Sequence, residues 1–355
     1  MELAIDINVR QKSSEDDYRI VRDLKKIDLE ELDSFVAGQS TGNFFQSPQY
    51  YNFYRSLKGY EAVLLCAYNQ NNEMVGSVIC VINRLLFGSK IDFLTRAIVM
   101  GGPVVSDSLD DKETLVDILI RELISIVSRK SVYLEFRNLF EVSSYRKAFE
   151  NNNLAYNDHL NFLINSSDRE SVINNLNKSK QQQIRKSLAA GAEICVAKDI
   201  GEVKQFYRHL VRLYKTKVKK PLPKWEFFEQ FFRQKESLGL YIIVKLKNRV
   251  IGGMMCPVFA ERIIYDWYVA GEDRVYKNIY PSVLVTWGAI EYAVNNHIPC
   301  YDFLGAGKPK HEYGVREFKA QFGGELKNFG RYARILSPSK YNFSQWLLKK
   351  FGYFK

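Results

Sequence analysis

The chain has little of what metal centres, disulfide scaffolds or membrane spans require. Its five cysteines (Cys66, Cys80, Cys195, Cys256 and Cys300) are widely scattered and form no Cys-x-x-Cys pair. Four lie inside or beside apolar runs, as in Val78-Ile79-Cys80-Val81, and so read as buried reduced thiols. The four histidines, His159, His209, His297 and His311, lack any metal-ligand spacing, which argues against a zinc or iron enzyme. No apolar stretch approaches the roughly 20 residues of a membrane-spanning helix. The opening Met1-Glu2-Leu3-Ala4-Ile5-Asp6 carries acids where a signal peptide needs bases, so the protein is expected in the cytoplasm. No Ser-His-Asp or Cys-His set is evident, so a covalent intermediate is not expected.

What is present fits a folded protein with more than one core. At 355 residues the chain exceeds the usual single-core limit, and 46% hydrophobic content excludes general disorder. Tyr and Phe are abundant, 22 and 23 against 5 Met, which leans toward sheet. The net charge of +11 is uneven. Between Lys178 and Lys220 stand twelve Lys or Arg against three acids, Glu193, Asp199 and Glu202. Such a stretch suits an anionic partner, phosphate or RNA, or else a set of solvated helix faces.

The two halves share a pattern. Glu73-Met74-Val75-Gly76-Ser77-Val78-Ile79-Cys80 and Arg249-Val250-Ile251-Gly252-Gly253-Met254-Met255-Cys256 each run from a polar turn through a Gly to a Cys, 176 residues apart. Preceding strands (62–68 and 241–246) make both into hairpins. A third strand (91–100 and 263–270), a helix (111–128 and 282–295) and a final strand (131–136 and 300–304) follow each. The fold class is therefore α/β, with mixed sheets and a duplicated unit. Between the units, Ile173, Leu176, Ile184 and Leu188 predict one apolar helix face stopped at Gly191. A helix over 203–217 and an aromatic helix over 225–232 come next, separated by Pro221-Leu222-Pro223. The expected division is 1–165, completed by the tail 326–355, and 166–325, which carries the cleft. The tail's Phe343, Trp346, Leu347 and Phe351, with Lys349, Lys350 and Lys355, predict a basic amphipathic helix that docks on the core or meets a membrane surface.

Candidate chemistry concentrates in 265–324. Tyr265, Asp266, Trp267 and Tyr268 lie on one strand, and Pro281-Ser282 opens a helix with free N–H groups. Asp302-Phe303-Leu304-Gly305-Ala306-Gly307 leaves a strand's carboxyl end, where α/β sheets gather ligands. Asp302 is a candidate base or a cap of its own loop. Direct transfer, with the protein orienting the partners and polarising a carbonyl, fits this set best.

Several of these segments resemble the Fem-type (FemABX) aminoacyltransferases of the GNAT superfamily, in the family's order. They are Phe44-Phe45-Gln46-Ser47-Pro48-x-Tyr50, Arg185-Lys186 before Gly191-Ala192-Glu193-Ile194, Tyr268-x-x-Gly271, Tyr280-Pro281, Tyr301-Asp302-Phe303-x-Gly305 and Gly314-Val315-x-x-Phe318-Lys319-x-x-Phe322-Gly323-Gly324. The resemblance implies two GNAT-like domains and transfer of an amino acid from aminoacyl-tRNA to a side-chain amine of a peptidoglycan precursor, with no resident cofactor. It makes Lys319 the catalytic lysine and Arg185 and Arg55 phosphate contacts. Tyr268, Tyr280, Gly305 and Phe318 complete the candidate substrate contacts, with Asp302 beside Lys319. Two departures are visible: Tyr50 stands where the family usually has Trp, and the region 178–232 is too short for the paired-helix arm of some members.

Two other readings stay open. An acyl-CoA-dependent N-acyltransferase shares the GNAT fold, but the segment Asp273 to Tyr280 lacks the glycines of its pyrophosphate loop. A non-catalytic RNA-binding protein would use the basic segment, and leaves the aromatic, Gly-rich second half unexplained.

Overall fold

A computed structural model describes residues 17–84, 95–309 and 314–350. The first half runs β1 (Arg19–Val21), α1 (Leu29–Gly38), α2 (Pro48–Arg55), β2 (Tyr60–Tyr68), β3 (Met74–Arg84), β4 (Thr95–Met100), β5 (Val104–Val105), α3 (Lys112–Val127), β6 (Tyr133–Arg137), α4 (Arg146–Asn151) and β7 (Ala155–Asn157). Next come β8 (Leu160–Asn165), α5 (Arg169–Asn175), α6 (Lys178–Ala189), β9 (Ala192–Val196), α7 (Ile200–Leu213), α8 (Trp225–Arg233), α9 (Lys235–Leu238), β10 (Gly239–Leu246) and β11 (Arg249–Phe259). The chain closes with β12 (Ile263–Tyr265), β13 (Tyr268–Gly271), α10 (Pro281–Asn295), β14 (Cys300–Asp302), α11 (Gly314–Ala320), β15 (Glu325–Asn328), β16 (Arg331–Ile335) and α12 (Pro338–Lys350).

Two sheets result, ordered β1-β2-β3-β4-β6-β16-β7 and β15-β8-β14-β12-β11-β10-β9, with β5 on β3 and β13 on β11. The duplicated unit is real in three dimensions. Both hairpins, β2–β3 and β10–β11, shift register by one residue near their turn. Gly76 and Gly252 let a helix lie directly on each hairpin. A Cβ on Gly76 would stand 3.0 Å from Leu115 of α3, and one on Gly252 would stand 2.9 Å from Val285 of α10. In each half the third strand then divides: β4 pairs β6 in parallel while β5 returns to β3, and β12 pairs β14 in parallel while β13 returns to β11.

That division corrects the single strand expected over 263–270. Tyr265 still faces Asp302 on β14, but Tyr268 faces Met255 on β11. Asp266 and Trp267 bridge the switch, their N–H groups donating to Asp302 O at 2.9 Å and Met255 O at 3.1 Å. The helix expected over 173–188 is likewise two helices. Asp168 caps α5 and Asn177 caps α6, and Leu176 between them is extended. Two caps this close start two helices. Ile173 and Leu188, expected on a buried face, are exposed. In α12, Tyr341 stacks on Tyr133 and Ser344 is buried, while Phe343 and Trp346, both exposed, stack on each other. Phe351 and Lys355, the end of that expected helix, and residues 91–94 of the expected third strand lie outside the described residues. Among the described residues no helix is long and apolar enough to cross a membrane.

The halves meet through aromatic rings. Trp267 contacts Phe44, Phe45 and Phe53 of the first half and Phe227 of α8 at centroid distances of 6.2, 5.5, 6.4 and 5.3 Å. Phe45 reaches Tyr265 at 5.1 Å. Beneath this contact, Gln46 closes the gap left by the division of β4 and β5. Its amide nitrogen donates to Ile79 O (3.1 Å) and Met100 O (2.8 Å), and its oxygen accepts from Ile79 N (2.7 Å). The side chain replaces the missing strand and is fully buried. Gln46→Leu would orphan these main-chain groups, at a cost of about 1–3 kcal/mol for each buried unsatisfied group. We expect urea denaturation to give an unfolding free energy about 3 kcal/mol below wild type; an unchanged value would contradict this role.

Candidate active site

Where β12 gives way to β13 and β14 ends, two carboxylates and one ammonium are buried together. Lys319, on α11, is 8% exposed. Its Nζ donates to Phe303 O at 2.7 Å and Gly305 O at 2.9 Å, and stands 3.9 Å from Asp266 Oδ2. The ammonium also lies 5.1 Å from the Phe303 ring centroid. Leu304 and Gly305 have positive φ, +53° and +124°, which turns both carbonyls that receive Lys319 away from a strand path. Burial pushes the lysine down from its usual range, and Asp266 and Asp302 oppose that. Burial raises Asp266, with Lys319 acting against it.

Asp302 occupies the last position of β14. Its Oδ1 accepts from Asn161 Nδ2 at 2.7 Å and Leu304 N at 2.6 Å, so it caps its own loop. Burial pushes its carboxyl up to about 6, against those hydrogen bonds and Lys319. Asn161, on β8, uses its oxygen for Phe162 N and Gly305 N at 2.9 and 2.7 Å, tying the second sheet's centre to the same loop. Next to this cluster is a cavity of about 50 Å³ between the two sheets, lined by Arg137, His159, Asn161, Leu304, Gly305 and Arg331 among others. Burial, helped by Arg331, pushes His159 down to about 4, so its imidazole is neutral at neutral pH.

The structure brings Lys319, Asp302 and Gly305 together and sets Phe318 beside them, its ring tilted against that of Phe322 at 5.2 Å. Tyr268 stands on β13 against Phe227 and Phe228 in the aromatic contact between the halves. Tyr280 is the left-handed residue (φ +48°) that starts α10. Arg185 is exposed on α6, and Arg55 lies over Tyr51 at the end of α2; neither is drawn into the cluster. Lys180 and Asn161 carry no mark in the sequence as site residues, and Asp266 stands out there only as part of the run Tyr265 to Tyr268. Lys180 is the buried cation of α6, its Nζ 4.7 Å from the Phe318 ring centroid, and nothing in a basic run marks one lysine as buried. Asp266 does carry a signal, a lone acid within an aromatic strand.

The start of α10 is already occupied. Asp273 accepts from Ser282 N at 3.1 Å and from the Ser282 hydroxyl at 2.5 Å. Asp111 does the same for α3, accepting from Thr114 N at 3.1 Å. Each helix therefore meets a carboxylate of its own chain at the end where an incoming anion would otherwise be favoured.

Comparison with known proteins places this geometry. The FemAB family model matches residues 248–349, from β11 into α12. The crystal structure of FemX superposes with a TM-score of 0.69 at 13% identity, over 92% of this chain and 99% of that one. A tandem GNAT protein from the clavulanic acid biosynthesis pathway gives 0.59 at 8% identity, over 90% and 99%. L-PGS from Bacillus licheniformis gives 0.57 at 11% identity, over 91% and 96%. No curated protein matches.

Because Lys319 is buried, replacing it should cost stability. Lys319→Met leaves Asp266 and two carbonyls without their cation. Breaking a buried pair this way costs about 3–5 kcal/mol. Adding Asp266→Asn to that variant removes the uncompensated charge, and urea denaturation should then show part of the loss restored. A single variant as stable as wild type would contradict the cluster.

Proposed function

We propose that the chain, whose residues 248–349 match the FemAB family model and whose fold superposes on FemX and on a tandem GNAT protein, is a Fem-type acyltransferase that transfers an amino acid from aminoacyl-tRNA to the amine of a peptidoglycan precursor, in the cytoplasm. The observation that carries the choice of donor is Asp273 at the start of α10. An acyl-CoA would bring a pyrophosphate to a helix end where the Ser282 N–H already serves the Asp273 carboxylate, and like charges would repel. An aminoacyl ester needs no phosphate there. The exposed cations of α6 and α7, Arg185 among them, offer its backbone an electrostatic surface elsewhere.

In this reading the donor's ester carbonyl lies between β13 and the loop after β14. The acceptor nitrogen, as the free amine, attacks the carbonyl carbon, the bond to the ribose oxygen breaks, and the proton lost by the nitrogen ends on that oxygen, giving an amide and a ribose hydroxyl. Negative charge grows on the carbonyl oxygen. Lys319 has three N–H groups and gives two to main-chain carbonyls, leaving one for that oxygen. Its neighbours hold it in place before reaction, so little reorganisation is needed. Asp302 uses Oδ1 as a cap and keeps Oδ2 for the departing proton, at an affinity raised toward neutrality.

Purified protein incubated with an amine-bearing peptide should form an amide product with charged tRNA and none with acyl-CoAs. Product from acyl-CoA alone would overturn the donor assignment.

A further inference from the structure

The last part of the sequence has a composition that the transfer centre does not use. Residues 326–355 hold seven Lys or Arg and no acid. From Pro338 onward, six aromatic residues share the stretch with four lysines. Helix α12 opens this stretch.

The helix has an inner and an outer side. On the inner side Ser344 is buried and donates its hydroxyl to Tyr341 O at 2.7 Å. The Tyr341 ring stacks on Tyr133 of β6 at 5.7 Å, and Arg96 of β4 lies 5.9 Å from the Tyr133 centroid. On the outer side Phe343, Trp346 and Lys350 follow one another at i, i+3 and i+7, which aligns them in one stripe. That stripe faces solvent: Phe343 is 47% exposed, Trp346 is 55% exposed, and Lys350 is exposed with them. The two rings stack at 5.6 Å, and the Lys350 ammonium lies 5.2 Å from the Trp346 ring centroid. Lys340, near the start of the helix, is exposed too. So is Ile335, which faces Tyr133 on β16 just before the helix.

Charge decides what could cover these rings. A second copy of the chain would bring an equally basic, acid-free helix to the contact, and the like charges would repel. A surface that is negative outside and apolar beneath satisfies both components. An anionic bilayer is such a surface: aromatic rings enter the headgroup boundary, and lysine ammonium groups stay among the phosphates. We propose that α12 docks this protein on an anionic membrane, lying in the plane of the interface with Phe343 and Trp346 inserted and Lys340 and Lys350 on the lipid phosphates. Its 13 residues do not span the bilayer, since they cover about 20 Å against a hydrocarbon core of about 30 Å. Tyr133, which holds the helix, shares a face of β6 with Arg137 of the cavity. The docked helix therefore sits on the sheet surface that leads to the Lys319 cluster.

The test is co-sedimentation of the whole protein with vesicles of phosphatidylcholine alone and of phosphatidylcholine mixed with phosphatidylglycerol. The mixed vesicles should bind at least about tenfold more tightly, the effect of two lysines at an anionic surface, and added salt should weaken that binding. Phe343→Ser with Trp346→Ser changes only exposed positions and should keep the wild-type thermal transition. That variant should bind the mixed vesicles at least about tenfold more weakly, as loss of two inserted rings requires. Lys340→Gln with Lys350→Gln should bind both kinds of vesicle nearly alike. No binding by wild type, equal affinity for the two lipids, or a serine variant that binds as tightly as wild type would each overturn the proposal. A dimer that forms without lipid and is lost in the serine variant would assign this face to a second copy and overturn it as well. The measurement uses neither donor nor acceptor, so its failure leaves the transfer reading standing.

Discussion

Two residues that fail to continue a strand organise the second half of this protein. Between Tyr265, paired with β14, and Tyr268, paired with β11, the backbone changes partner, and Asp266 and Trp267 are left to fill the opening. Trp267 packs among rings from both halves and joins them. Asp266 is buried beside Lys319 and helps keep that ammonium charged despite its burial. The same switch therefore locks the two sheets together and creates the polar centre.

The first half has the corresponding opening and closes it. The side-chain amide of Gln46 fills the gap between β4 and β5. Thus the duplicated architecture carries one opening sealed by a neutral amide and one that holds a charged cluster. The sealed half contributes β6 and β16, whose arginines line the cavity beside that cluster.

Much of this was legible in the amino-acid order. Gly76 and Gly252, each in an apolar run, revealed the duplication, because a helix crossing a hairpin requires a residue without a side chain. Lys319 was identified by its motif and Asp302 by its place at a strand end. The break at Asp266 was not legible, since Tyr265 to Ala270 reads as one strand until the partners on either side are known. Apolar spacing from Ile173 to Leu188 suggested one helix, where two capping side chains, Asp168 and Asn177, start two. Gln46 was read as part of a family signature, and its hydrogen bonds to Ile79 and Met100 depend on contacts remote in sequence. The arginine pair was invisible for the same reason, because Arg137 and Arg331 meet only when β16 returns to the first sheet.

The central claim is that the buried ammonium of Lys319 acts on the developing oxyanion as well as holding the loop after β14. These roles separate in the variant combining Lys319→Met with Asp266→Asn, which removes both charges of the pair and so leaves neither buried alone. The single-turnover rate of amide formation from charged tRNA, measured with that variant folded, should fall about 10²–10³-fold, the effect of deleting one oxyanion donor. A folded double variant that turns over at the wild-type rate would contradict the account.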